Sequence, residues 1–288
     1  MSKPVLKTVD LPDTQLQYLH YPGNGPAVIM LHATGFVPWL WHPIAKSLNQ
    51  KHSLEIIAPY FCDHRDTDPE EGGFHWALLA EDLYRMISQL NITNPHLIGH
   101  SMGAVVASLS HTVYQLSART MILIEPIFLP DPIYNQVITV DQHPLAGKSI
   151  RRKNYWKDSD EAYEYLRSKA LFRNWDDEIL SLYISHGMIP QSNGGLALTC
   201  SPRREAALFM GGMHHNPWPL LEKIQCPTLI IEGGNSENQQ VIDLQKATKM
   251  IPDAAYHLVE NAGHLVPMEY PEKCLNIFAS FIINGLIF

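Results

Sequence analysis

Apolar runs of strand length alternate with helix-length segments along most of the chain, and this alternation restricts the fold more than any other feature. The runs at 27–31, 54–58, 96–98, 120–124, 228–231 and 255–259 are apolar at nearly every position, as strands covered on both faces must be. Between them, 40–48, 74–90, 101–116, 239–250 and 271–283 read as helices. The expectation is an α/β fold: a mostly parallel, twisted sheet flanked by helices, with 5–9 and 15–20 as an antiparallel hairpin at its edge. Residues 127–224 break the rhythm with three helical patterns, at 158–172, 176–184 and 202–210. Ser201-Pro202 supplies an N-cap and a proline at the first helical position, and Gly187 a helix stop. The chain therefore divides into a core, 1–126 and 225–288, and an inserted helical cap, 127–224.

With 288 residues, 45% of them hydrophobic and 17% charged, the chain can bury a large core. A net charge of -8, with Arg151-Arg152-Lys153 the main basic run, argues against a nucleic-acid partner, because phosphates need concentrated positive charge. Cys62, Cys200, Cys226 and Cys274 form no ligand pattern and read as thiols of a reducing compartment. The first residues lack the apolar stretch of a signal peptide, and no segment approaches the ~20 apolar residues of a membrane helix. The expectation is a cytoplasmic protein without a membrane partner. The apolar tail from 277 to 288 suits a final helix docked on the body or a homodimer contact.

His96-Leu97-Ile98-Gly99-His100-Ser101-Met102-Gly103 joins an apolar strand to a helix through G-x-S-x-G. A nucleophile raised on so tight a turn sits in strained backbone and needs small neighbours two residues away. A plain helix N-cap is the blander role for Ser101, but the strand–turn–helix context favours the nucleophile. The N–H of Met102, at the helix start, can face a developing oxyanion.

With this elbow in place, the chain resembles the α/β-hydrolase superfamily over nearly its whole length. Leu31-His32-Ala33-Thr34-Gly35-Phe36 resembles the oxyanion loop after the third strand, with Ala33 where glycine is commoner; the resemblance implies Thr34 as the second oxyanion N–H. Asp63-His64-Arg65 is similar to the D-x-R-G loop, with Asp66 in place of the glycine. The His-Ala-Thr-Gly-Phe run is similar to an esterase-like branch. Gly263-His264 through Glu269-Tyr270-Pro271 resembles the segment that carries the family's histidine, which makes His264 the base. His32, His100 and His214-His215 have weaker claims, and Glu269 suits an organising role in the histidine loop.

The acid departs from the common pattern. Aligning the glycines of Glu232-Gly233-Gly234-Asn235-Ser236-Glu237-Asn238 puts Ser236 at the usual acid position, with Glu237 one residue out of register. The alternative location is the end of the sixth strand, where Glu125 follows Met121-Ile122-Leu123-Ile124. A carboxylate there needs a partner, and strands ~4.8 Å apart bring it within reach of an imidazole over Ser101. Glu125 is the expected acid, with Glu237 as the alternative; pairing with Arg151, Arg152 or Arg173 would instead make Glu125 structural.

Phe36, Trp39, Phe128, Trp156 and Trp175 suggest an apolar, substrate-binding cavity, against aromatic core packing as the alternative for each ring. Arg203 and Arg204 suit either a substrate anion or a solvated helix face. The resulting expectation is a serine hydrolase cleaving small carboxylic esters through an acyl-enzyme, without metal or organic cofactor. Thioesterase, lactonase, C–C bond hydrolase or cofactor-free peroxidase activity would use the same groups. A non-catalytic small-molecule receptor on the same fold is the alternative from another class.

Overall fold

The computed structural model describes residues 3–192 and 194–285. Ten strands run in chain order: β1 (Val5–Asp10), β2 (Gln15–Tyr21), β3 (Ala27–Leu31), β4 (Glu55–Pro59), β5 (His96–His100), β6 (Thr120–Ile124), β7 (Met188–Pro190), β8 (Leu196–Leu198), β9 (Thr228–Gly233) and β10 (Ala254–Val259). Eight form one sheet in the order β1-β2-β4-β3-β5-β6-β9-β10, while β7 and β8 make a separate antiparallel pair. The β1–β2 hairpin closes one edge antiparallel; from β4 to β10 the strands are parallel. Every residue of β5 and β9 is buried, as expected of central parallel strands covered on both faces, and their polar residues His96, His100, Thr228 and Glu232 are hydrogen-bonded.

The register places the site. His100 pairs with Ile124, and Ile124 with Ile231, so β5 and β6 end level with one another while β9 runs two residues farther, to Gly233. One more rung follows on each side: Ser101 N–H donates to Ile124 O at 2.9 Å and Glu125 N–H to Ile231 O at 2.8 Å. Ser101 and Glu125 thus leave neighbouring strands side by side, at the carboxyl edge where sheets of this kind bind ligands.

The helices are α1 (His42–His52), α2 (Trp76–Gln89), α3 (Met102–Thr112), α4 (Ala146–Ile150), α5 (Ser159–Arg167), α6 (Asp177–Gly187), α7 (Pro202–Gly211), α8 (Leu244–Met250), α9 (Val266–Glu269) and α10 (Pro271–Asn284). Helix α2 buries Trp76, Leu79, Ala80, Leu83, Met86 and Ile87, a single stripe at helical spacing, and packs on α3. Helix α3 lies against β3, β5 and β6. At the end of the chain α10 buries Cys274, Ile277, Phe278 and Phe281 and stops at Gly285; of the apolar tail, 286–288 lie outside the described residues.

Between β6 and β9 the chain leaves the sheet and forms α4 to α7 and the β7–β8 hairpin. Hydrogen bonds fasten this segment to the rest. Phe74 N–H and the Trp76 indole donate to Ala207 O and Leu208 O of α7, both at 2.8 Å, and Asp176 N–H donates to Met268 O at 2.8 Å.

Two segments that read as single helices are interrupted, and the helix expected over 101–116 stops at Thr112. The pattern over 158–172 breaks after Arg167, whose guanidinium turns back onto the carbonyls of Phe172, Arg173 and Trp175 at 3.1, 3.2 and 2.8 Å. The pattern over 239–250 splits into a tight turn, Glu237–Gln240, and α8, whose N-cap Asp243 accepts Lys246 N–H.

Candidate active site

Ser101 has φ 56° and ψ -116°, in the left-handed half of backbone space that an L-residue avoids. The turn is tenable because Gly99 and Gly103 flank it. A Cβ on Gly99 would run into the backbone of Gly103, and one on Gly103 would run into the carbonyls of Leu31 and His32. The same closeness sets the oxyanion-loop candidate, which begins at His32, directly beside the start of α3. Met102 is the first residue of α3, so its N–H has no acceptor within the helix. Thr34 is buried in the loop opposite.

His264 reaches over from the loop after β10. Its Nε2 lies 3.1 Å from Ser101 Oγ, and its Nδ1 lies 2.9 Å from Glu125 Oε2. A carboxylate facing Nδ1 holds the proton there and leaves the Nε2 lone pair for the serine hydroxyl. Three contacts hold the loop. His100 Nε2–H donates to His264 O at 2.9 Å, and Gly263 N–H donates to Glu269 Oε2 at 2.8 Å. Gly233, at the end of β9, has no room for a side chain, because a Cβ there would overlap Gly263 O.

Glu125 is 1% exposed and also turns through a left-handed residue, with φ 48°. Its Oε1 accepts Gly233 N–H at 2.7 Å, and its Oε2 accepts the Ser236 hydroxyl at 2.7 Å and the Asn238 amide at 3.4 Å. Of the arginines that would have made Glu125 structural, Arg151 is held by Asp141 and Arg152 by Glu205, each at 2.8 Å. Glu237 is exposed on the tight turn. Sequence reasoning passed over Asn238, whose amide nitrogen lies 2.9 Å from His264 Nδ1. The available signal was its place two residues beyond Ser236, on the same turn.

The other histidines at this edge are neutral structural groups. Burial pushes His32 down to about 4 and His100 down to about 3. His32 accepts Phe61 N–H on Nε2 at 2.9 Å and donates from Nδ1 to Ala33 O at 2.8 Å, which ties the loops after β3 and β4 together. Burial also raises the Glu269 carboxyl, against the lowering effect of the Gly263 N–H and His264.

A family model for the alpha/beta hydrolase family matches residues 28–277. The chain belongs to this family. A putative esterase/lipase of Haemophilus influenzae is 24% identical to the hydrolase over 80% of this chain and 78% of its own. Monoacylglycerol lipase ABHD6 of Homo sapiens is 24% identical over 94% and 82%. Among solved structures, E-2-(acetamidomethylene)succinate hydrolase superposes with a TM-score of 0.81 at 21% identity, covering 97% of this chain and 99% of the other.

The five aromatic rings of the hydrolase expected around a cavity are dispersed. Phe36 and Trp175 meet edge-on at 5.3 Å, and Phe36 meets Tyr183 at 5.7 Å. Trp39 stacks on His186 at 3.7 Å. Phe128 packs on Trp218 and Trp156 on Tyr165, both rings fully buried. Arg203 pairs with Asp68 at 2.6 Å and Arg204 approaches Asp66 at 4.0 Å, around a cleft of about 400 Å³. Among the described residues no helix is long and apolar enough to cross a membrane, and no group of His, Cys, Asp and Glu is placed to hold a metal.

Proposed function

We propose that the protein is a serine hydrolase that cleaves small carboxylic esters through an acyl-enzyme at Ser101. The observation that carries this reading is the continuous path from Ser101 Oγ through the His264 ring to Glu125 Oε2, with contacts of 3.1 and 2.9 Å. Ser101 Oγ attacks the ester carbonyl while His264 Nε2 takes its proton. The imidazolium so formed keeps its Nδ1–H on Glu125, whose charge stabilises it. The N–H groups of Met102 and Thr34 receive the oxyanion as the carbonyl carbon becomes tetrahedral. His264 then returns its proton to the departing alkoxide, and the acyl group stays on Ser101. Water repeats the sequence with the same base and frees the acid. No step needs a metal or an organic cofactor.

Residues 127–224 act in this reading as a cap, with Phe36 and Trp175 forming the apolar wall nearest the oxyanion loop. The esterase and lipase names among the relatives support a carboxylic ester as substrate. Hydrolysis of short-chain aryl esters by the purified protein and by Ser101→Ala tests the reading. The variant is expected to keep its fold and to lose at least about a thousandfold in turnover. Retention of more than about a tenth of the activity would overturn the serine mechanism.

A further inference from the structure

The hydroxyl of Ser236 is placed unusually well for a side chain outside the catalytic path. It donates to Glu125 Oε2 at 2.7 Å, the same oxygen that faces His264 Nδ1 at 2.9 Å. A hydroxyl rotates freely unless something arrives on its lone pairs, and here Asn238 N–H does so at 3.3 Å. That backbone donor leaves the Ser236 hydrogen pointing at the carboxylate. Ser236 is 5% exposed, and its turn is held by its own N–H on Gly233 O at 3.0 Å and by the Gln239 amide on Gly233 O at 2.8 Å. Gly233 N–H in turn occupies the other oxygen of Glu125 at 2.7 Å. One turn therefore grips both carboxylate oxygens.

We propose that Ser236 is a positioning residue that sets how strongly Glu125 acts on His264. This rests on the serine-hydrolase reading above. A donor shared with the carboxylate spreads its charge and fixes the rotamer that meets Nδ1. Removing the hydroxyl has two separable effects. The carboxylate becomes less well aimed, so reaction at Ser101 slows. Its charge is also less neutralised, so the imidazolium is held more strongly and the acidic limb of the pH profile moves to higher pH. A residue that only supported the loop would slow the reaction without moving that limb.

The rate of Ser101 modification by a fluorophosphonate, followed against pH, needs no knowledge of the substrate. Ser236→Ala is expected to react about tenfold more slowly, with its acidic limb raised by roughly half a pH unit. Ser236→Thr, which keeps a hydroxyl and the cap on the turn, is expected to return both toward the parent. An unshifted limb in Ser236→Ala, whatever its rate, overturns the positioning role. Ser236→Cys keeps the bulk of the side chain with a weaker donor, so where Ser236→Ala fails to fold an unshifted limb in Ser236→Cys overturns the role instead. Failure of the parent protein to label at Ser101 would instead count against the serine-hydrolase reading, so the two are told apart.

Discussion

Two buried carboxylates in this molecule each face a histidine at 2.9 Å, and they are built for opposite purposes. Asp82, inside α2, is 0% exposed and receives His64 Nε2 on one oxygen. It also receives Arg65 Nε and Nη2, both at 2.8 Å, and Arg65 reaches on to Asp13. Burial alone would raise the Asp82 carboxyl, but the Arg65 and His64 hydrogen bonds outweigh it and hold it below the usual carboxylate range. Its charge is already answered by a permanent cation. Glu125 is equally buried, yet its partners are a backbone N–H, a hydroxyl, an amide and His264. Nothing there is cationic until His264 accepts a proton. The arrangement at Asp82 locks the loop after β4 onto α2, whereas the arrangement at Glu125 answers a charge that appears only when Ser101 reacts.

The sharpest way to break this comparison is to neutralise each carboxylate without changing its shape. Glu125→Gln is expected to lower turnover by roughly a hundredfold or more, because it removes the group that favours the imidazolium, and to cost only about 1 kcal/mol, because its NH2 must face one of the donors that the carboxylate accepts. Asp82→Asn is expected to do the reverse. It leaves the half-buried Arg65 guanidinium with only the exposed Asp13 as counter-ion and His64 without its carboxylate, and costs about 2 kcal/mol in denaturant unfolding, while the folded fraction keeps most of its activity. Exchange of these two outcomes would show that the roles are assigned the wrong way round.

A second expectation concerns pH and stability rather than rate. His32 and His96 are pushed down to about 4 and His100 to about 3, in each case chiefly by burial. A histidine with its folded value lowered binds its proton only on unfolding, so its stabilising contribution is complete above ~6.5 and is lost as pH falls toward 4. Each one adds a slope of about 1.4 kcal/mol per pH unit in that window. Unfolding midpoints should fall steeply between pH 6.5 and 4; a flat profile there would show that these rings are protonated in the fold. Below ~3.8 the lowered Asp82 carboxyl adds its own loss, since its contribution is present above that value and disappears as the group is protonated.

Smaller effects follow for the aromatic wall. Trp175 contacts Phe36, Phe172 and Tyr183, so Trp175→Ala is expected to change acyl-chain preference by several fold. Loss of the fold with an unchanged ester profile would make these rings core packing alone. At the bottom of the scale, Glu237→Gln is expected to alter turnover by less than about threefold, because Glu237 is exposed on its turn.

Much of this architecture was legible from residue order. Strands β3 and β6 begin and end where their apolar runs do, since a strand buried on both faces has no polar position to blur its limits. The hairpin of β7 and β8 was not legible: Met-Ile-Pro and Leu-Ala-Leu are three residues each, too short for any period to register. Helix α4 escaped for the same reason, with a glycine inside its five residues. At the candidate site, sequence reasoning singled out Ser101, His264 and Glu125, and the structure brings their side chains into one line. It gave no sight of the Asn238 contact, because an amide two residues beyond Ser236 acquires meaning only once the turn is closed. Nor could it separate pocket rings from core rings, because Phe128, Trp156 and Trp175 are chemically alike until their neighbours are known.

The most direct measurement of the central claim is the site of covalent modification by a fluorophosphonate, read by peptide mass spectrometry across the parent protein, Glu125→Gln and Asp82→Asn. The account predicts one adduct, on Ser101, formed rapidly in the parent and in folded Asp82→Asn and slowed at least tenfold or so in Glu125→Gln. An adduct on any other residue, or equal rates in the parent and Glu125→Gln, would contradict it.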